Sequence, residues 1–484
     1  MELRNRLGRV LCVLLLCAAG RASAQTFTVL TSLSTVAPPG GGGNLVWSLV
    51  QGLDGNFYGT TNGGGGVCAN NPFATCGTVF KVTPAGKLTV IHEFCQNSCT
   101  DGGAPFSGLF LSPSGNFYGT TTQDLVNHGG TVYSITPSGT VTSLVSFTGG
   151  GGQGTPYGPV TEVNGNFYGI TALGGSAQDG TTYKLTPSGT LTTLHTFNGT
   201  NGEQVGLVGE GLLQAPNGDF YGLTPFGTQN SNTCGTIFRM TPAGKTATLY
   251  SFANTSAQGC EPATGLVLGP DGDFYGTALT GGPASEGTIY KATPNGTLTV
   301  LYNFCSQSNC ADGSTPNAGM ILGTDGNFYG TTVFGGATNH GAIFQITPGG
   351  TFKVLYSFCS QAGCADGESS YSTLIQATDG NFYGTTSNGG GGNNGGTAFK
   401  LSMGLAPFVQ SLPGYGKVGA QIKILGTDLT GTTAVTFDGI TATFKVESPT
   451  AILATVPAGA TSGKIQVETP GGTLVSNVAF RVLQ

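Results

Sequence analysis

The sequence predicts an all-β protein: a seven-bladed β-propeller closed by an N-terminal strand, followed by an immunoglobulin-like β-sandwich. Three observations predict it. First, one eight-residue core recurs seven times: "DGNFYGTT" from Asp54, "SGNFYGTT" from Ser114, "NGNFYGIT" from Asn164, "NGDFYGLT" from Asn217, "DGDFYGTA" from Asp271, and "DGNFYGTT" again from Asp325 and Asp379. Second, its phenylalanines (Phe57, Phe117, Phe167, Phe220, Phe274, Phe328, Phe382) are spaced 60, 50, 53, 54, 54 and 54 residues apart, and a period near fifty with strand-like content is the signature of propeller blades. Third, the pattern changes near Ala406 into a stretch that reads as six or seven short strands, the pattern of an immunoglobulin-like sandwich.

Each repeat holds four strand-like runs. In the fifth repeat they are "TGLVLGP" (Thr264–Pro270), "FYGTA", "GTIYKATP" (Gly287–Pro294) and "TLTVLYNF" (Thr297–Phe304). The runs are rich in β-branched and aromatic residues and are separated by Gly, Pro and Asn. An Asp-Gly or Asn-Gly pair between two such runs signals a tight hairpin with positive φ at both turn residues. The Phe and Tyr that follow point to opposite sheet faces, as a blade packed between two neighbours requires. The seventh repeat stops after its third run, "GTAFKLS" (Gly396–Ser402), while "TFTVLTSL" (Thr26–Leu33) is an unattached fourth run. Joining the two completes the last blade and leaves no free sheet edge.

The expected organisation is a signal peptide over 1–24, the repeat domain over 25–403 and the sandwich over 404–484. Arg4, Arg6 and Arg9 precede the apolar run "VLCVLLLCAAG", and "ASA" at Ala22–Ala24 offers small residues for cleavage. That run is too short to span a bilayer, and no later stretch is long and apolar enough. The mature chain is therefore expected outside the cytoplasm, secreted or at the cell surface or periplasm, as a monomer.

Cysteine usage agrees. Ten of the twelve cysteines follow the signal segment. Cys95 with Cys99, Cys305 with Cys310 and Cys359 with Cys364 are close pairs, Cys68 with Cys76 closes another loop, and Cys234 and Cys260 remain. In an exported protein such pairs read as disulfides. Zinc is the rival reading, but it would need two pairs or nearby histidines to converge. No metal or cofactor is expected. Nucleic acid is excluded as a partner, because only 17 Lys and Arg are spread through 484 residues with a net charge of −6.

These repeats resemble the GloVer tandem repeats of exported bacterial proteins. The resemblance rests on the seven G-N/D-F-Y-G cores and the seven G-T/A-x-F/Y strands, and it covers Gln25 to Ser402. It implies a surface or extracellular location and no established activity. The last segment is similar to IPT/TIG domains through "IKILGTDL", "VTFDGITATF", "TVPAGATSGKIQVETPGG" and "NVAFRVL". Such modules serve as spacers or interaction domains. DNA binding by some of their relatives does not carry over, because Lys417, Lys423, Lys445, Lys464 and Arg481 are widely spread.

The sequence offers no catalytic constellation. His92 and His195 occupy the fourth-strand position held elsewhere by Tyr250, Tyr302 and Tyr356, so they read as packing residues. His128 and His340 fall in loops. Asp54, Asp271, Asp325 and Asp379 read as turn residues rather than calcium ligands, since Ser114, Asn164 and Asn217 replace them. The better functional candidates lie beside the cysteine loops, on the connections between the fourth strand of one blade and the first of the next: Asp101, Asp312, Asp366 and Glu261. Variable loops on a rigid scaffold are where binding residues concentrate. The expected function is thus a non-enzymatic exported binding or scaffold protein that presents its loop face to a glycan or an extracellular protein. The alternatives are an extracellular polysaccharide hydrolase or lyase with acids at the channel mouth, and a purely structural envelope component.

Overall fold

The computed structural model describes residues 25–34, 45–64, 76–95, 99–123, 128–148, 154–198, 211–226, 233–253, 257–262, 265–391 and 394–483. The expected signal peptide and Cys68 lie outside them. The architecture is all-β. Each repeat core seeds one antiparallel sheet, paired in chain order. In the fifth repeat the strands are Val267–Leu268, Phe274–Ala278, Thr288–Ala292 and Leu298–Asn303. The sheet of the seventh repeat takes Ile375–Gln376, Phe382–Thr385 and Thr397–Ser402 from the repeat and its fourth strand, Thr26–Ser32, from the N-terminal segment. Thr26 pairs with Ser402 and Ser32 with Thr397.

Every letter of the recurring core has a physical task. The Tyr ring of one sheet lies on the Phe ring of the next, from Tyr58 on Phe117 through Tyr329 on Phe382, with centroids 4.1–4.4 Å apart. The series ends with Tyr383 of the last sheet on Phe57 of the first, at 4.1 Å. Burying each such ring contributes about 1.5–3 kcal/mol. Gly59 is required by close approach: a Cβ there would lie 2.5 Å from Phe80 Cζ of the third strand. The first threonine donates to the neighbouring sheet, as Thr60 Oγ1 does to Ser107 O at 2.6 Å and Thr120 Oγ1 to Gly158 O at 3.0 Å. The second pairs with the third strand of its own sheet, as in Thr61···Thr78 at 2.9 Å.

The turns differ from the sequence expectation in one respect. Only Asn164–Gly165 has positive φ at both positions (51° and 75°), closing a two-residue loop between Val163 and Asn166. The other six are one residue longer. In the first, Gly55 N bonds to Gly52 O at 2.9 Å and Gly52 N to Asn56 O at 2.8 Å, a type I turn followed by a left-handed glycine bulge. The aspartate stays right-handed there, and its carboxylate organises the turn instead. Asp54 Oδ2 accepts from Tyr58 Oη at 2.7 Å and Asn56 Nδ2 at 2.7 Å.

The C-terminal segment forms two four-stranded sheets and a short parallel pair. Gln421–Leu425, Ala434–Phe437, Phe444–Ser448, Ala451–Thr455 and Ile465–Thr469 supply alternate apolar residues. Ile422, Ile424, Val435, Phe437, Ile452, Ile465, Val467 and Phe480 form its buried core. This domain sits against the hairpin turns of the repeat sheets. Thr450 Oγ1 donates to Leu53 O at 2.6 Å, Asn164 N to Tyr415 Oη at 2.6 Å, and Phe408 N to Thr378 O at 2.9 Å. The cysteine loops lie at the opposite ends of the strands from these hairpin turns.

Candidate functional site on the loop face

Two kinds of segment meet on this face: the connection entering each sheet and the loop between second and third strands. The isolated pairs Cys260↔Thr280, Ser314↔Phe334 and Glu368↔Asn388 tie them together. Four disulfides are formed among the described residues: Cys95–Cys99, Cys234–Cys260, Cys305–Cys310 and Cys359–Cys364. Cys76 is also disulfide-bonded.

The structure places Asp312 and Asp366 with no exposed surface. Their carboxylates are spent on their own loops. Asp312 accepts from Tyr302 Oη at 2.7 Å, Ser306 N at 2.9 Å, Ser306 Oγ at 2.8 Å and Gln307 N at 3.3 Å. Asp366 accepts from Tyr356 Oη at 2.6 Å, Ser360 N at 2.9 Å and Gln361 N at 3.1 Å. Asp101 is more open, and takes His92 Nε2 at 2.9 Å and Cys95 N at 3.2 Å. The fourth-strand Tyr or His and the acid about ten residues on are therefore one clamp that closes the cysteine loop. Tyr250 with Gln258 is its uncharged version. Burial, together with the Asp312 hydrogen bond and charge, raises the Tyr302 hydroxyl to about 12, so the tyrosine remains a donor at any physiological pH. Glu261 belongs to a different position. Its backbone is left-handed (φ 58°) and its N–H bonds to Cys234 O at 2.9 Å.

Sequence reasoning passed over an aromatic row. Trp47, the only tryptophan of the chain, lies 5.3 Å from Phe106, which lies 5.3 Å from Tyr157 (ring centroids). All three are half-buried. They stand at the loop-face end of the first strands of three consecutive sheets, where Trp47 N bonds to Thr60 O at 3.0 Å and Tyr157 pairs with Ile170. The indole is fixed by Nε1 donating to Pro105 O at 3.0 Å. Tyr371 holds the corresponding place on the last sheet, which joins the first through Thr373 N donating to Ser48 Oγ at 2.9 Å. These first strands are where neighbouring sheets converge. Farther out, Leu173, Phe226 and Phe334 share one repeat position after the second strand and are each more than two-fifths exposed.

Among the described residues, two groups of side chains have metal-ligating chemistry: Cys76, Cys95 and Cys99, and His340, Cys359, Cys364 and Glu368.

Comparison with known proteins follows the same division. The Gloeobacter/Verrucomicrobia repeat model matches residues 21–209 and 208–441, and the IPT/TIG domain model matches 407–482. No curated protein matches. Among solved structures, the extracellular domain of a one-component system from B. thetaiotaomicron is similar with a TM-score of 0.47 and 12% identity, over 95% of this chain and 58% of that one. Puromycin hydrolase is similar with a TM-score of 0.47 and 13% identity, over 74% of this chain and 52% of that one. The periplasmic gluconolactonase of Pseudomonas aeruginosa gives 0.42 and 14%, over 64% and 84%. The chain thus spans little more than half the length of the first two. The repeats and the terminal sandwich together establish that this chain belongs to the Gloeobacter/Verrucomicrobia repeat family and carries a C-terminal IPT/TIG domain.

Proposed function

We propose that the protein is an exported, non-enzymatic glycan-binding protein. In this reading the repeat sheets form a seven-bladed propeller closed by Thr26–Ser32, and the aromatic row Trp47–Phe106–Tyr157 is its binding platform. The contact of Tyr383 with Phe57 and the pairing of Thr26–Ser32 with Thr397–Ser402 support the closed ring. The row carries the functional reading. Half-buried aromatic faces offer a negative quadrupole to the polarised C–H groups of a sugar ring, and fixed hydroxyls nearby, such as Ser48, supply orientation. Charged residues are only 8% of the chain, and among the described residues none is in ring contact with the row, which suits a neutral polysaccharide better than an acidic or basic protein.

The acids Asp101, Asp312 and Asp366 hold the loops in shape in this reading, rather than touching ligand, and Glu261 lines the same face. Disulfides fit an oxidising compartment. The sandwich domain sits on the turn face, at the other end of the strands from the aromatic row.

The test is co-sedimentation of the chain from Gln25 with insoluble polysaccharides and cell-wall fractions, followed by analysis of the supernatant. Retention without released fragments, lost in Trp47→Ala and kept in Asp312→Asn, is expected. Released fragments would make the protein a hydrolase or lyase. Failure to bind any glycan would favour a protein ligand, with Leu173, Phe226 and Phe334 as its contacts.

A further inference from the structure

One position on the loop face changes chemistry from repeat to repeat. It is the meeting point between the residue before the third-strand glycine and the residues two and three past the clamp position. The backbone geometry there is constant. Ala104 N bonds to Cys76 O at 2.7 Å, Glu261 N to Cys234 O at 2.9 Å, Thr315 N to Glu286 O at 2.9 Å and Ser369 N to His340 O at 3.0 Å. The side chains are not constant. Cys234 and Cys260 are bonded covalently. One repeat on, Thr315 Oγ1 donates to Glu286 Oε2 at 3.5 Å. In the next, His340 Nδ1 and Glu368 form an ion pair.

That ion pair adjoins a disulfide. One ligand atom each from His340, Cys359, Cys364 and Glu368 lie within 4.8 Å of one another. The His340 side chain is 43% exposed and that of Glu368 18%, so the group is reachable from solvent. The preceding loop is nearly identical, "CSQSNC" against "CSQAGC", and it forms the corresponding disulfide, Cys305–Cys310. It lacks the flanking imidazole, having Glu286 instead. The chain therefore carries its own control.

We propose that His340, Cys359, Cys364 and Glu368 form a redox-gated zinc site: a disulfide beside an ion pair when oxidised, and a four-ligand Zn²⁺ site when reduced. Reduction by an external thiol or dithiol converts the Cys359–Cys364 bond into two thiols and oxidises the reductant to its disulfide. Zn²⁺ then takes the two thiolates, the neutral imidazole and the carboxylate. Each thiol releases one proton, and an imidazolium, where present, releases another. Two sulfurs with one nitrogen and one oxygen favour Zn²⁺ over Ca²⁺ or Mg²⁺. Zinc–ligand distances of about 2.0–2.3 Å in a tetrahedral site require the two sulfurs to part, the imidazole and carboxylate to part, and the two pairs to close on one another, a change within two short loops.

The experiment uses the chain from Gln25, oxidised and after phosphine reduction with the reductant removed, titrated with Zn²⁺ against a chromophoric chelator. Co²⁺ replaces Zn²⁺ in a parallel titration to show thiolate charge-transfer and tetrahedral bands. The reduced chain is expected to bind Zn²⁺ at least tenfold more tightly than the oxidised chain. His340→Ala and, separately, Glu368→Gln should each weaken that binding at least tenfold, while Cys305→Ser/Cys310→Ser should leave it unchanged. Equal binding by oxidised and reduced chains would overturn the proposal. So would unchanged binding in both His340→Ala and Glu368→Gln, or a loss in Cys305→Ser/Cys310→Ser equal to theirs. Because reduction also frees Cys76, Cys95 and Cys99, the site is read from the difference between reduced wild type and the His340→Ala and Glu368→Gln chains, and either variant serves if the other misfolds.

Discussion

The two faces of the repeat domain are built by opposite rules. The turn face repeats itself: Asp54, Asp271, Asp325 and Asp379 each accept a hydrogen bond from the Tyr four residues on, at 2.7–2.8 Å. Six of its turns share one geometry, and the sandwich domain lies against those at Gly55 and Gly380. The loop face varies in length, cysteine content and side chains, and it holds the aromatic row. Where every sheet has the same task, namely to close a hairpin and pack between two neighbours, the residues recur. Where the residues differ, packing is no longer what selects them.

The sharpest way to break this contrast is to attack the shared interior. Tyr383→Ala removes a ring that is 1% exposed from the contact between last and first sheets. It should cost about 3–5 kcal/mol in chemical denaturation, and Trp47→Ala on the open face should cost much less. A loss of equal size at both would erase the distinction between the faces. Next in size is the loop clamp. Asp312→Ala leaves Tyr302 Oη and two backbone N–H groups without their acceptor, at about 2–3 kcal/mol. Asp312→Asn should recover part of it. Proteolysis within the 306–311 loop should be faster in Asp312→Ala than in wild type.

A smaller effect tests the third-strand ring. The hydroxyls of Tyr133 and Tyr290 are buried without a hydrogen-bond partner, whereas Phe80, Phe238, Phe344 and Phe399 fill the corresponding places. Tyr290→Phe should be neutral or stabilise by up to about 1 kcal/mol, read as a shift in the denaturation midpoint. The smallest effect lies at the seam with the sandwich domain. Glu162 lines a cleft of about 260 Å³ with Phe110, Pro113, Leu412, Tyr415 and Val478. Burial raises its carboxyl above the usual range, against a backbone hydrogen bond from Gly165 that lowers it. A raised folded pKa favours the neutral form, so the contribution is present at acid pH and is lost as pH rises through the folded value. Glu162→Gln should therefore be slightly more stable than wild type at neutral pH, and the advantage should vanish below about pH 4.

Much of this was legible in the sequence, for a definite reason. The G-N/D-F-Y-G cores mark second strands because Tyr, Phe and Gly act in every sheet, so their spacing gives the strand order and the supply of the last sheet from Thr26–Ser32. The turn type was misjudged because Asp-Gly serves both a two-residue turn and a longer bulged one, and the choice depends on register. The clamps were hidden by distance. Tyr302 and Asp312 are ten residues apart, and only their joint recurrence with Tyr356 and Asp366 carries the signal. The aromatic row left no motif, since Trp47 and Phe106 stand seven and eight residues before their turn residues, Asp54 and Ser114, and differ in type. The docking of the sandwich rests on ordinary residues such as Thr450 and Tyr415, which nothing in their local sequence distinguishes.

The most direct measurement is intrinsic fluorescence. Trp47 is the only tryptophan and stands in the proposed platform, so its emission reports that site alone. Titrating the chain from Gln25 with soluble oligosaccharides should shift or quench the emission saturably. Phe106→Ala should weaken the response at least tenfold, and Phe334→Ala should leave it unchanged. Binding detected by calorimetry with no change in Trp47 emission would place the ligand elsewhere and contradict the account.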